Sequence, residues 1–291
     1  VGLIITSANA GGAWSPIGDV TTTMLWIGDK VTTVKLILYL FIPSIVCMIV
    51  PVLLASCLPA FTGDISDDIA KDSKEDEIHK YGSTILFIGL TAIIFVPIFK
   101  ILTHLPPYVG MMLSLSVVAT FAEIFSNAKI NITSIDEDHE KHSSHSPVHS
   151  SLSRIELPSI LFFLGILMAV AALESLGMLF EFAETINNTI PNSDIVVMLL
   201  GFGSAIIDNV PLVAASMGMF SQLIDDPLWH FIAFSAGTGG SMLIIGSAAG
   251  VVAMGMERID FFWYLKKISW LALVGFISGS LAFILMRDFI I

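Results

Sequence analysis

Apolar residues run through this chain in long blocks separated by short polar stretches, the pattern of membrane spans rather than of half-buried helices. Val34–Leu58, Gly82–Phe99, Pro107–Phe125, Leu157–Phe182 and Phe261–Met286 are apolar blocks of spanning length, the rise being 1.5 Å per residue and the hydrocarbon core roughly 30 Å thick. Pro43 and Pro51 predict kinks in the first of them. Three other apolar stretches are interrupted. Val1–Ser7 gives way to NAGGAWSPIGD (Asn9–Asp19) before Val20–Ile27 resumes, and Phe231–Met256 contains SAGTGGSMLIIGSAAG. The third, Gly201–Met219, carries Asp208, Asn209 and Pro211 in its middle. The 14 residues from Asp194 to Ile207 reach about 21 Å as a helix, too short to cross, which predicts a re-entrant hairpin with Asp208 at its tip.

The expected fold is an all-α polytopic membrane protein, an inverted-repeat transporter with broken helices. Residues 1–58 form the end of a first repeat, 59–81 an acidic linker and 82–291 a second repeat. The second repeat holds a His-rich loop at 126–155, the hairpin at 191–224, a broken helix at 228–257 and a last span at 261–286. Composition agrees: 55% of residues are hydrophobic and 13% charged, where soluble domains carry about 25% charged residues. The net charge of -12 reflects acids concentrated in the two loops, and no basic footprint for nucleic acid is present. Cys47 and Cys57 lie in one apolar run and read as packing residues. His139, His142, His145 and His149 share no helix face, which argues for a solvated loop over a structural metal site, and no cofactor is implied. The chain opens at Val1 inside an apolar segment, which suggests an N-terminal portion preceding it.

Sliding the chain by 228 residues sets SANAGGAWSPIG (Ser7–Gly18) over SAGTGGSMLIIG (Ser235–Gly246). The same offset pairs Asp29 and Lys30 with Glu257 and Arg258, and lays the span from Val34 over that from Phe262. Repeats of this kind build many secondary transporters. By this offset the counterpart of Asp208 falls about 20 residues ahead of Val1. Basic residues fix an orientation. With a hairpin at Asp208, nine Lys and Arg fall on the side of the two loops and four (Lys30, Lys35, Lys100, Arg287) on the other. A crossing segment gives seven against six, so the bias favours the hairpin, with both loops cytoplasmic and the C-terminus outside.

A carboxylate in the middle of a membrane helix costs roughly 2.5–3.5 kcal/mol, so intramembrane acids default to a functional reading. Pro211 lacks an amide hydrogen and frees backbone groups beside Asp208. Such backbone survives at membrane depth where it lines a polar cavity.

NAGGAWSPIGDVTT, LFFLGILMAVAALESLG and SAIIDNVPLVAASMGM together resemble the NhaD-type sodium/proton antiporters of the ion transporter superfamily. The resemblance implies a homodimer in a bacterial-type inner membrane, in contact with lipid, exchanging sodium or lithium for protons. It also implies two inverted repeats, each with a hairpin and a broken helix meeting near the midplane. Sodium is a hard cation and takes oxygen ligands, here Asp208, the amides of Asn9 and Asn209, and hydroxyls such as Ser15, Thr238 and Ser241. Gly11, Gly12, Pro16, Pro211, Gly237, Gly239 and Gly240 mark the backbone breaks whose freed carbonyls complete the site. Asp208 holds either ion, with Asp19 and Glu174 as candidate partners. Asp208 before Pro211 also suits a helix cap, Asp19 equally suits a cap on the half-helix from Val20, and Glu174 a pairing group near a helix end. Two other functions fit less well. An anion carrier of the same superfamily, for dicarboxylates or arsenite, does not call for an acid at the hairpin tip. An intramembrane aspartyl protease needs a Gly-x-Gly-Asp pattern that Gly18-Asp19 lacks.

Overall fold

The computed structural model describes residues 1–58, 82–125, scattered positions from 161 to 190, and 192–206, 209–257 and 259–289. Asp208, Glu174, the linker 59–81, the loop 126–155 and much of Leu157–Phe182 lie outside the described residues. The chain divides into two compact units, Val1–Asp64 with Phe162–Ile291, and Ile65–Leu161.

The first unit holds α1 (Gly2–Ala13), α2 (Val20–Ile27) and α3 (Thr33–Ser56), and the second α4 (Gly82–Thr103) and α5 (Pro107–Phe125). The first unit resumes with α6 (Ser193–Ser204), α7 (Asn209–Met219), α8 (Pro227–Gly239), α9 (Ala248–Glu257), α10 (Phe261–Lys267) and α11 (Ser269–Phe289). A 3-10 turn, Gly240–Met242, follows α8. Among the described residues, α3, α4, α5 and α11 are long and apolar enough to cross a bilayer, and the protein is an integral membrane protein. In the second unit, Ser114 Oγ of α5 donates to Ala92 O of α4 at 2.8 Å, and the outward faces of both helices are apolar, as lipid requires.

In the first unit α3 and α11 pack closely. A Cβ on Gly275 would lie 2.6 Å from Cys47 O and one on Gly279 3.0 Å from Pro43 O. Two glycines four apart thus let the backbones approach, as small residues do in membrane interfaces. α3 runs through both Pro43 and Pro51 as one helix. The expected last span is interrupted at Ile268, whose side chain lies so close to Gly2 that a Cβ there would meet it at 2.6 Å, and it extends past Met286 to Phe289.

Both glycine-rich interruptions are real, though shifted along the chain. Gly11 and Gly12 remain inside α1, Gly237 and Gly239 inside α8, and Pro211 lies in the first turn of α7. The breaks themselves are 14–19 and 240–247. In each the chain folds back until two backbones touch: a Cβ on Gly12 would lie 2.8 Å from Gly18 O, and one on Gly240 2.3 Å from Gly246 O. A side chain at either place forces the backbone apart. Each break ends on a polar residue that starts the next helix. Asp19 accepts from Val20 N at 2.8 Å, and Ser247 Oγ accepts from Gly250 N at 3.2 Å. The two glycine pairs and the two polar residues are each separated by 228 positions.

Two further contacts tie distant parts of this unit. Asp225, in the left-handed region at φ 61, accepts from Thr32 N (2.7 Å) and Thr32 Oγ1 (2.9 Å), while its own N–H donates to Lys30 O (2.8 Å). At the end of α11, Arg287 grips both oxygens of Asp194 in a bidentate pair at 2.6 and 2.9 Å.

Candidate functional site

The site is built on Asp19, where α1 stops and α2 starts. It is the N-cap of α2, in a capping box with Thr22, and the positive end of the half-helix favours its charge. Capping engages Oδ1. The other oxygen, Oδ2, accepts from Thr21 Oγ1 and, at 3.1 Å, from Asn209 Nδ2 at the start of α7. An ionised carboxylate only accepts, so Asn209 presents its NH2 to Asp19 and turns its carbonyl oxygen elsewhere. Asn209 is buried, and its neighbour Asp208 lies outside the described residues. The third wall is α8: a Cβ on Gly237 would lie 3.5 Å from Asp19 Oδ2. One acid therefore joins the first break, the second arm of the interrupted segment and the second broken helix.

The carbonyls of both breaks are held by hydroxyls. Thr22 Oγ1 lies 2.8 Å from Ser15 O and Thr23 Oγ1 2.9 Å from Pro16 O, so Ser15 enters the site through its carbonyl. At the second break Thr238 Oγ1 donates to Phe234 O and Ser241 Oγ to Thr238 O, both at 2.6 Å. Tyr264 donates to Ser241 O at 2.8 Å and Ser204, the last residue of α6, to Ala236 O at 2.7 Å. Thr238 and Ser241 thus spend their protons on the helix end and keep their hydroxyl lone pairs. Asn9 Nδ2 is buried without a hydrogen-bond partner, on α1 and outside the Asp19–Asn209 pair.

Thr21, Ser204 and Tyr264 escaped the sequence reading. A threonine two residues after a cap looks like ordinary helix, and the Ser204 and Tyr264 contacts join residues far apart in the chain. The one available signal was the run Asp19-Val20-Thr21-Thr22-Thr23, which places three hydroxyls on the first turn after an acid.

A family model described as a citrate transporter, CitMHS, matches residues 1–230. The chain belongs to this transporter family. It is 44% identical over 292 residues to Sodium/proton antiporter 1 of Arabidopsis thaliana, across 99% of this chain and 48% of that protein. With Sodium/proton antiporter 2 of the same plant it shares 40% over 291 residues, 99% of this chain and 67% of the relative. With the Na(+)/H(+) antiporter NhaD of Vibrio parahaemolyticus it shares 33% over 288 residues, 90% of this chain and 65% of the relative. The chain thus spans between about half and two thirds of the length of these family members. No solved structure matches it. The matched region of the family model takes in the whole of the first break, Asn209 and the start of α8.

Proposed function

We propose that the chain carries the ion-exchanging core of a sodium/proton antiporter, with Asp208 and Asp19 as carboxylates that hold either a proton or a sodium ion. The observation that carries this reading is the convergence on Asp19 of Asn209 from α7 and Gly237 from α8, two interrupted elements meeting at one acid. Oxygen donors of this kind suit a hard monovalent cation, lithium included. One carboxylate that binds either ion, and faces one side at a time, is sufficient for exchange. Glu174 is a proton-side partner in this scheme, and Asn9 an additional amide ligand.

The architecture we infer is an inverted repeat with a re-entrant hairpin formed by α6 and α7. Two contacts support the hairpin. Asp225 N–H donates to Lys30 O, and Asp194 pairs with Arg287. If α6 and α7 together crossed the bilayer, Asp225 and Arg287 would each lie on the opposite side from its partner. The matched 228-residue spacing of the two glycine pairs supports the repeat. The protein would work as a homodimer in a cell inner membrane, with 59–81 and 126–155 cytoplasmic and the C-terminus outside.

The description of the family model favours a second reading, carriage of a citrate-like anion. Anions bind at half-helix N-termini. That of α2 already holds the Asp19 carboxylate, which repels an anion, so an anion would have to use the neutral start of α9 at Ser247.

The deciding experiment loads the complete protein into everted vesicles or proteoliposomes with a preset pH gradient. Sodium or lithium is expected to dissipate the gradient, and Asp208→Asn to abolish this at unchanged expression. Exchange that survives the substitution removes Asp208 from the mechanism. Accumulation of labelled citrate without cation-driven proton movement establishes the second reading instead.

A further inference from the structure

Among the described residues, Gly237 is a glycine without a packing reason. It sits inside α8, buried, three positions before the 3-10 turn begins. A glycine in a helix interior costs about 0.5–1 kcal/mol relative to alanine, so its neighbours need it for close approach. At Gly239 a Cβ would lie 2.1 Å from Gly201 O, and at Gly240 2.3 Å from Gly246 O. At Gly237 no described residue collides. A Cβ there would sit 3.5 Å from Asp19 Oδ2, 3.6 Å from Ala13 Cβ and 3.8 Å from Thr21 Oγ1, all ordinary contacts. What the glycine leaves open is a methyl-sized space lined by a carboxylate oxygen, a hydroxyl and one methyl group.

We propose that this space is the size filter of the cation site, and that Gly237 is its specificity-determining residue. Thr21 donates its proton to Asp19 Oδ2 and keeps its hydroxyl lone pairs. A cation entering from the α8 side meets both oxygens at once, in the volume a Cβ would fill. With the Ala13 methyl 3.6 Å from the same point, the volume is about that of one methyl group, and a larger occupant has to displace Ala13 or the oxygens. This rests on the antiport reading of the same site. It adds which residue sets the preference among alkali cations.

The test is the ratio of apparent sodium to lithium affinities in proteoliposomes of the complete protein, read from dissipation of a pH gradient. Gly237→Ala narrows the space. The sodium KM is expected to rise about tenfold, the scale of one methyl group in a fitted pocket, and the smaller lithium ion to be affected less. Ala13→Gly widens the space from the opposite wall and is expected to shift the ratio the other way, admitting potassium. Elution as a single species in detergent establishes that each variant is folded. If Gly237→Ala is not recovered folded, the direction of the Ala13→Gly shift decides alone. An active protein whose sodium-to-lithium ratio ignores these substitutions overturns the size filter and leaves antiport standing. An unaltered protein in which neither ion moves protons overturns both.

Discussion

The Asp19 carboxylate uses its two oxygens for different purposes. Oδ1 caps α2, and Oδ2 receives Thr21 and Asn209. From the sequence, cap and ion partner were alternatives; the structure shows the cap and leaves the second oxygen to Thr21 and Asn209, because a carboxylate offers about four lone-pair directions. The two roles separate by substitution. Asn caps a helix about as well as Asp, so Asp19→Asn is expected to keep the cap while removing the negative charge and the Oδ2 acceptor of Thr21 and Asn209, at a cost of about 1–3 kcal/mol. Sodium-driven proton movement should then collapse while the detergent-solubilised protein still melts cooperatively, somewhat below its original temperature. If exchange persists at full rate with the cap intact, Asp19 is a cap alone. An acid in an apolar run stands out in the sequence because membrane depth makes charge expensive, and Asp19 does lie where three elements meet. The Thr21 contact was not legible there, since nothing in a local pattern says which way a helical hydroxyl points.

At the scale of elements, the glycine-rich stretches announced two broken helices but misplaced their edges. Gly11 and Gly237 stay helical because a glycine weakens a helix without ending it. The break falls instead where backbone must rest on backbone, at Gly12 on Gly18 and Gly240 on Gly246. Composition alone does not distinguish these two kinds of glycine, because the difference lies in which atoms stand opposite. It does have a measurable consequence. No described residue lies within 4 Å of where a Cβ on Gly11 would stand, so Gly11→Ala is expected to be neutral or to gain up to about 1 kcal/mol by helix propensity. Gly240→Ala drives a methyl into the Gly246 carbonyl and is expected to lose about 1–3 kcal/mol as overpacking. Thermal melting of the two variants in one detergent checks this. Equal melting temperatures would mean that the second break accommodates a side chain by opening.

For the whole molecule, the count of basic residues, nine against four, argues for one orientation, but which distant segments meet could not be read from the sequence. The bidentate pair of Arg287 with Asp194 spans 93 positions, and the Asp225–Thr32 bonds span 193. No local pattern encodes either. Together they bear on the same question as the charge count, because a segment that crosses the bilayer and one that turns back leave Asp225 on opposite faces. Labelling single cysteines with a membrane-impermeant maleimide, after replacing Cys47 and Cys57, settles the matter. Leu223 and Phe289 are each 82% exposed and suit Leu223→Cys and Phe289→Cys, with Ser143→Cys marking the His-rich loop. A hairpin places Leu223→Cys and Phe289→Cys on one face and Ser143→Cys on the other. A crossing segment places all three on the same face. In that event the charge bias, the Arg287–Asp194 ion pair and the Asp225–Thr32 hydrogen bonds would be accidents of packing, and the hairpin tip would no longer be reachable from one side only.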